Sequence, residues 1–183
     1  MLERYLIEHC SPTLAGLKTA NLIHVPVESG SALRQELCQW NRLLGAKGVT
    51  LIPLAVKNGK ALVYVCRFSH LQRELEETAT AAFLSGYGYA GQSAGKAVST
   101  LRRRVCEQDG FPHEIGVFLG YPLEDVLGFI NIGGKGCKCC GCWKVYCNEC
   151  EARKRFEQFK KCREIYSRLW NSGRTVYQLT VAA

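Results

Sequence analysis

The sequence predicts an α+β (mixed α/β) fold in a single compact domain spanning 1–183, with a β-hairpin and short strands packed among helices, then a cysteine-rich loop and a long C-terminal helix. Three observations carry this expectation. Asn58-Gly59 separates two apolar runs, 49–56 and 60–68, and Asn-Gly is the dipeptide best suited to the paired left-handed residues of a two-residue hairpin turn. Most other apolar residues recur at helical spacing, between turn signals rich in glycine and proline. A chain of 183 residues with 47% hydrophobic content suits one ordinary globule, able to bury a core without staples. There is no internal repeat and no low-complexity segment, and 133–172 stands out only as a candidate subdomain.

Taken in order, Leu2, Tyr5, Leu6 and His9 mark a short N-terminal helix. It is expected to stop at Cys10-Ser11-Pro12, because the residue before proline avoids the helical region. The small-residue run from Leu14 to Ala20 reads as helix or loop leading into a strand over 21–25. Leu33, Leu37, Trp40 and Leu44 define an amphipathic helix ending near Gly45-Ala46-Lys47-Gly48. After the hairpin, Ser69-x-x-Gln72 reads as a capping box opening one helix with Leu71, Leu75, Ala79, Ala82 and Phe83 inward, closed by Gly86-Tyr87-Gly88-Tyr89. Ser93 caps the next helix, whose stripe is Ala97, Leu101 and Val105 beside Arg102, Arg103 and Arg104. Residues 114–119 read as a short, buried apolar strand. Pro122 suits a first helical turn, followed by Leu123, Val126, Leu127 and Ile130 at helical spacing. Gly133-Gly134-Lys135-Gly136 leads into the cysteine loop, and 143–146 reads as a short strand. The longest helix covers 149–170 with Ala152, Phe156, Phe159, Tyr166 and Trp170 inward.

The chemistry concentrates in the loop. Six of the eleven cysteines fall within the fourteen positions from Cys137 to Cys150, and Cys162 follows on the helix. Cys137/Cys140, Cys139/Cys142 and Cys147/Cys150 are C-x2-C pairs, the spacing that lets two sulfurs converge on one metal ion. Cys142-x4-Cys147-x2-Cys150 also matches the three-cysteine run of plant-type iron–sulfur sites. The opening Met1-Leu2-Glu3-Arg4-Tyr5 has no apolar signal region, so a cytoplasmic, reducing location is expected and a disulfide knot is not. In that setting cysteine clusters serve metals or thiol chemistry. Cys38 and Cys66, singletons in apolar patterns, read as small core residues. No apolar run approaches the eighteen residues of a membrane span.

The net charge of +8 is uneven: from Lys135 onward, eleven Lys/Arg face four Glu. Such a basic face attracts nucleic acid, anionic ligands or an acidic partner, although lysine-rich helices are often merely solvated. No base-reading motif accompanies it, so specific nucleic-acid binding is not expected. Lys138, Lys144, Lys160 and Lys161 are the docking candidates. A second set of polar residues, His113, Glu114, Tyr121, Glu124 and Asp125 with His9 and Cys10, lies where segment ends converge on pockets. Glu124 and Asp125 equally complement a helix dipole, and His9-Cys10, as chain neighbours, do not form a nucleophile pair. Gly16-Leu17-Lys18-Thr19 echoes the end of a phosphate loop but lacks its full frame.

The run from Phe111-Pro112-His113-Glu114-Ile115-Gly116-Val117-Phe118-Leu119-Gly120-Tyr121-Pro122-Leu123-Glu124-Asp125-Val126, with Cys139-Cys140-Gly141-Cys142-Trp143-Lys144-Val145-Tyr146, resembles an uncharacterised clostridial family catalogued as a domain of unknown function. His9-Cys10-Ser11-Pro12-Thr13-Leu14-Ala15-Gly16 and the terminal Leu179-Thr180-Val181-Ala182-Ala183 resemble it too. Genes of that family are similar in neighbourhood to those for ferrous-iron uptake and flavodoxins, which implies a link to iron or low-potential electron transfer. The resemblance centres on Cys139, Cys140, Cys142 and Cys162, with Cys147 and Cys150 as additions.

The leading expectation is therefore a cysteine cluster binding a transition metal, iron or zinc, in metal handling or electron transfer, with no enzyme activity assigned, an iron–sulfur cluster within the same ligand logic and an acidic carrier such as a flavodoxin as partner. Its ligands would come from Cys137, Cys139, Cys140, Cys142, Cys147, Cys150 and Cys162. A rival is thiol redox or sulfur transfer by one thiolate activated by Lys138 or Lys144. A third is a zinc-stabilised basic nucleic-acid module, disfavoured because only four residues separate Cys142 from Cys147.

Overall fold

A three-stranded antiparallel sheet divides two apolar cores, and the alternation along its middle strand explains how. The computed structural model describes residues 2–107 and 111–182; Met1 of the opening pentapeptide and Ala183 of the terminal motif lie outside the described residues. The chain runs α1 (Leu2–Leu14), β1 (Ala20–Pro26), α2 (Gly30–Gly45), β2 (Thr50–Lys57) and β3 (Lys60–Cys66). It continues through α3 (Phe68–Glu76), α4 (Thr78–Ser85), α5 (Ala94–Glu107), α6 (Ile115–Phe118) and α7 (Leu123–Ile132). A small hairpin, β4 (Cys139–Cys140) and β5 (Lys144–Val145), precedes α8 (Glu149–Asn171) and α9 (Val176–Leu179). The fold is α+β, with strand order β1-β3-β2. Central β3 sends Ala61, Val63 and Val65 into a core shared with α1, α2, α8 and α9. Leu62, Tyr64 and Cys66 alternate onto the other face, against α3 to α7. Asn58 and Gly59 turn the β2–β3 hairpin with φ of 51° and 69°, as Asn-Gly predicts. Pro53 sits on the edge strand at a bulge, where its missing N–H interrupts no inner ladder. Among the described residues no helix is long and apolar enough to cross a membrane.

Several local expectations need correction. α1 does not stop at Cys10-Ser11-Pro12 but continues through Pro12 to Leu14. An interior proline costs about 3 kcal/mol. Leu6, Ile7 and Leu14 are each fully buried against β1 and α8, and each contributes about 1.5–3 kcal/mol, so packing wins. The turn after the helix closes at Gly16, left-handed with φ 73°, where the Pro12 carbonyl accepts from the N–H groups of Leu17 and Lys18.

Residues 114–119 form the helical turn α6, not a strand. Short buried apolar runs fit either state. Gly116 is the packing reason: a Cβ there would meet Val126 at 2.7 Å, so α6 lies tight against α7. The single helix expected after Ser69 is two, broken where Glu77 turns extended, which swings Thr80 and Leu84 inward in place of Ala79 and Ala82. No capping box forms there. Arg67 holds the cap position, and Gln72 spends its amide on Glu76 and on the N–H of Ala94. Pro122 occupies the cap position of α7 rather than its first turn.

Candidate functional site

Asp125 builds the cysteine hairpin. Buried in the first turn of α7, its carboxylate accepts from the Trp143 indole N–H at 2.7 Å and from the backbone N–H groups of Tyr146 at 2.8 Å and Cys147 at 3.1 Å. Three donors on one buried anion fix the hairpin against α7. Trp143 then stacks on Tyr121, with centroids 5.1 Å apart, and meets Phe156 of α8 edge-on at 4.6 Å. With Val145, Ala152 and Phe159 these rings make a third small core, against which Cys139 and Cys142 pack. Gly141 is required by close approach: a Cβ there would lie 2.4 Å from the Phe156 ring.

The hairpin spreads its thiols rather than gathering them. All eleven cysteines lie among the described residues, and all are free. Cys137 and Cys140 act electrostatically on Tyr146, Cys139 on Arg153, and Cys142 on Lys18 and Tyr121. Cys140, Cys147 and Cys150 are exposed. Cys162 faces the first core, where burial pushes its thiol up to about 11. Among the described residues no group of three or more His, Cys, Asp or Glu side chains could hold a metal ion. A metal would therefore need the hairpin thiols to regroup, since four ligands must meet at about 2.3 Å from one zinc.

Cys142 instead opens on a cleft of about 400 Å³ between α1, β1, the α6–α7 link and α8. Lys18, His9, Tyr121, Asn21 and Arg163 line it with Cys142. Lys18 is carried there by the turn that closes α1 and is only 7% exposed. Its ammonium lies 5.2 Å from the centre of the Tyr121 ring and has no hydrogen-bond or ion-pair partner among the described residues. Burial lowers it from the ordinary lysine value to about 8; Cys142 and Cys10 oppose the shift, and Arg163 adds to it. Burial also lifts the Tyr121 phenol to about 12, with Cys142 acting the same way. The arrangement sets the Cys142 thiol and the Lys18 ammonium on the lining of one cleft.

The other predicted residues divide. Tyr121 and His9 come to this cleft, while Cys10, beside His9 in sequence, is wholly buried and burial pushes it up to about 12. His9 is exposed and rests against Tyr5. His113 packs edge-on against Phe129 in a separate apolar cavity of about 270 Å³ that also touches Tyr121 and Asp125. Glu114 is buried and engaged by Arg104 at 2.5 Å and the Tyr89 hydroxyl at 3.1 Å. Glu124 is exposed. Lys138 and Lys144 donate to the carbonyls of Cys147 and Gly134 at 2.8 Å and 2.6 Å. Lys160 and Lys161 are exposed on α8. Sequence reasoning passed over Asn21 and Arg163 as functional residues, and only the incomplete phosphate-loop echo at Gly16-Leu17-Lys18-Thr19 pointed toward Lys18.

No curated protein and no solved structure matches the chain. The family described as "Protein of unknown function (DUF3793)" matches residues 6–180, and the chain, nearly end to end, is a member of it.

Proposed function

We propose that the protein is a thiol-exchange protein in which Cys142 is the attacking group. The observation that carries this reading is the Cys142 thiol opening on a cleft shared with Lys18, whose side chain is mostly buried and whose ammonium has no protein partner among the described residues. The Cys142 thiol loses its proton to solvent, and the thiolate attacks a disulfide of a partner molecule. One sulfur–sulfur bond breaks and a mixed disulfide forms; the leaving thiolate takes a proton from solvent. Cys139, at C-x2-C spacing and packed on the same aromatic cluster, is brought to Cys142 by the same regrouping of the hairpin that a metal would need, and then attacks it. That releases the second thiol and leaves a Cys139–Cys142 disulfide, which an external dithiol reductant resets. The test treats reduced protein with a neutral small disulfide and follows each cysteine by peptide mass. Cys142 should form the first adduct, Cys139 should resolve it, and Lys18→Met should slow the first step about tenfold. Attack at Cys142 no faster than at exposed Cys147 would refute the reading.

A second reading, a soft metal held by regrouped hairpin thiolates, draws on the three C-x2-C pairs and on the exposed Cys140, Cys147 and Cys150. Metal analysis of protein purified without air tests it: stoichiometric iron or zinc lost in Cys139→Ser/Cys142→Ser supports it, and absence of metal rejects it. The flavodoxin-like partner implied by the family resemblance would meet Lys160 and Lys161, which are exposed and without ion pairs among the described residues. Binding indifferent to salt, or to Lys160→Glu with Lys161→Glu, would remove that partner.

A further inference from the structure

The Lys18 cleft has more positive charge than its thiol can use, and its donors are left open. Two cations line it, Lys18 and Arg163, and neither has a hydrogen-bond or ion-pair partner among the described residues. Glu8, the one carboxylate lining it among the described residues, is already taken by Arg4, whose Nε donates to it at 2.7 Å. Asn21 accepts a hydrogen bond from Thr13 through its oxygen at 2.7 Å, which leaves the amide N–H groups as its open valence. With Cys142 ionised, the cleft still holds one uncompensated positive charge. The Lys18 side chain is 7% exposed and its ammonium keeps access to the cleft, where no protein group meets it and a ligand can.

We infer that the cleft binds a small molecule through an oxyanion, carboxylate or phosphoryl, seated between Lys18, Arg163 and the Asn21 amide, so that the molecule exchanging sulfur with Cys142 is itself anionic. This rests on the thiol reading for the role of Cys142, but not for the anion site. A cleft of about 400 Å³ suits a metabolite-sized ligand rather than a protein surface. Arg163, a planar fork of donors on α8, and Lys18, a point charge from the other wall, would hold an oxyanion from two sides.

The test compares alkylation of Cys142 by iodoacetate and iodoacetamide, reagents of similar size that differ in charge. In each case the sulfur displaces iodide. The iodoacetate-to-iodoacetamide rate ratio at Cys142 should be higher in the folded protein than in the urea-unfolded chain. Arg163→Gln should lower the folded ratio about fivefold, and Lys18→Met should lower it as well. An equal ratio in folded and unfolded protein would overturn the anion site while leaving the thiol reading intact. A Cys142 inert to both reagents would sink the thiol reading alone. The anion site is then decided by thermal stability in inorganic phosphate against acetate at matched ionic strength. A gain in wild type that is absent in Lys18→Met supports it, with the effective salt naming the phosphoryl or carboxylate class. No gain with either salt, or equal gains in both proteins, rejects it.

Discussion

At the scale of single residues, Lys18 is the most informative side chain, because it is destabilising where it stands. Its side chain is mostly out of water and has gained no acceptor among the described residues, and that burial lowers it to about 8. Below about 8 the lysine is protonated in folded and unfolded chains alike, and the cost of burying the charge is present in full. Between about 8 and 10.5 the unfolded chain keeps a proton that the folded chain has released, so this group makes stability rise with pH and the cost fades. Lys18→Met, which keeps an unbranched stem without the charge, should therefore stabilise the fold by about 2–3 kcal/mol near neutral pH. The gain should shrink when urea midpoints are compared at about pH 7 and about pH 10. Buried Cys66 and Cys162 titrate in alkali in both proteins and cancel from the difference, whereas Cys10 loses the lowering effect of Lys18 in the variant and titrates higher there. A variant no more stable than wild type, or a gap indifferent to pH, would mean the ammonium is satisfied after all. None of this is legible in sequence: Gly16-Leu17-Lys18-Thr19 contains a lysine like any surface lysine, and only the cap of α1 turns it inward.

At the scale of elements, the hairpin of β4 and β5 depends on a residue outside it. Asp125 reads in sequence as a helix-dipole complement, and it does lie in the first turn of α7, but its carboxylate is spent on three N–H groups of the hairpin. Asp125→Ala orphans those donors and should cost about 3 kcal/mol. In a background lacking Trp40 and Trp170, Trp143 emission should shift to the red as the ring meets water. Asp125→Asn keeps an oxygen for the Tyr146 and Cys147 amides and should recover part of the loss. Unchanged emission in Asp125→Ala would show that the aromatic stack alone holds the hairpin. The elements that were legible are those whose local chemistry is decisive: Asn58-Gly59 for the turn, and the long run of good helix formers for α8. Those that were not depend on distant partners. Pro12 signals a stop that burial of α1 overrides, and α6 is set close against α7 through Gly116 and Val126, a contact distant in the chain from its own apolar pattern. The thiol spacing was plain, but which way each sulfur points depends on the strand pairing, which sends neighbouring cysteines to opposite sides.

At the scale of the whole molecule, the cleft sits where separately built layers meet, so its shape depends on how they are tied. α8 joins two cores: Phe159 enters the hairpin cluster, while Cys162 and Tyr166 enter the core shared with α1. Arg67 ties the opposite side. It is 1% exposed, with no carboxylate partner among the described residues. Its guanidinium donates to the carbonyls of Thr13, Leu14 and Val181 at 2.7 Å each, and to Lys47 at 3.2 Å. These carbonyls belong to the end of α1, the turn after α2 and the C-terminal segment, three pieces that no strand ladder connects. Unlike Lys18, this buried cation has its donors satisfied, and burying it is stabilising only while all the pieces stay in place. Arg67→Met leaves the four carbonyls without their donor and should cost about 3 kcal/mol or more. The loss should be local before it is global. The Val181 amide, which donates to Leu14 at 3.0 Å, should exchange with solvent first, followed by the turn that carries Lys18. Cys142 should then alkylate more slowly, although Arg67 does not line its cleft. Arg67→Lys, with one cationic head in place of a fork, should restore only part of both effects. Hydrogen exchange mapped by peptide reads the order directly. Loss of protection starting in α3, or Cys142 reacting as in wild type, would mean that the end of α1 holds the lysine without this clasp.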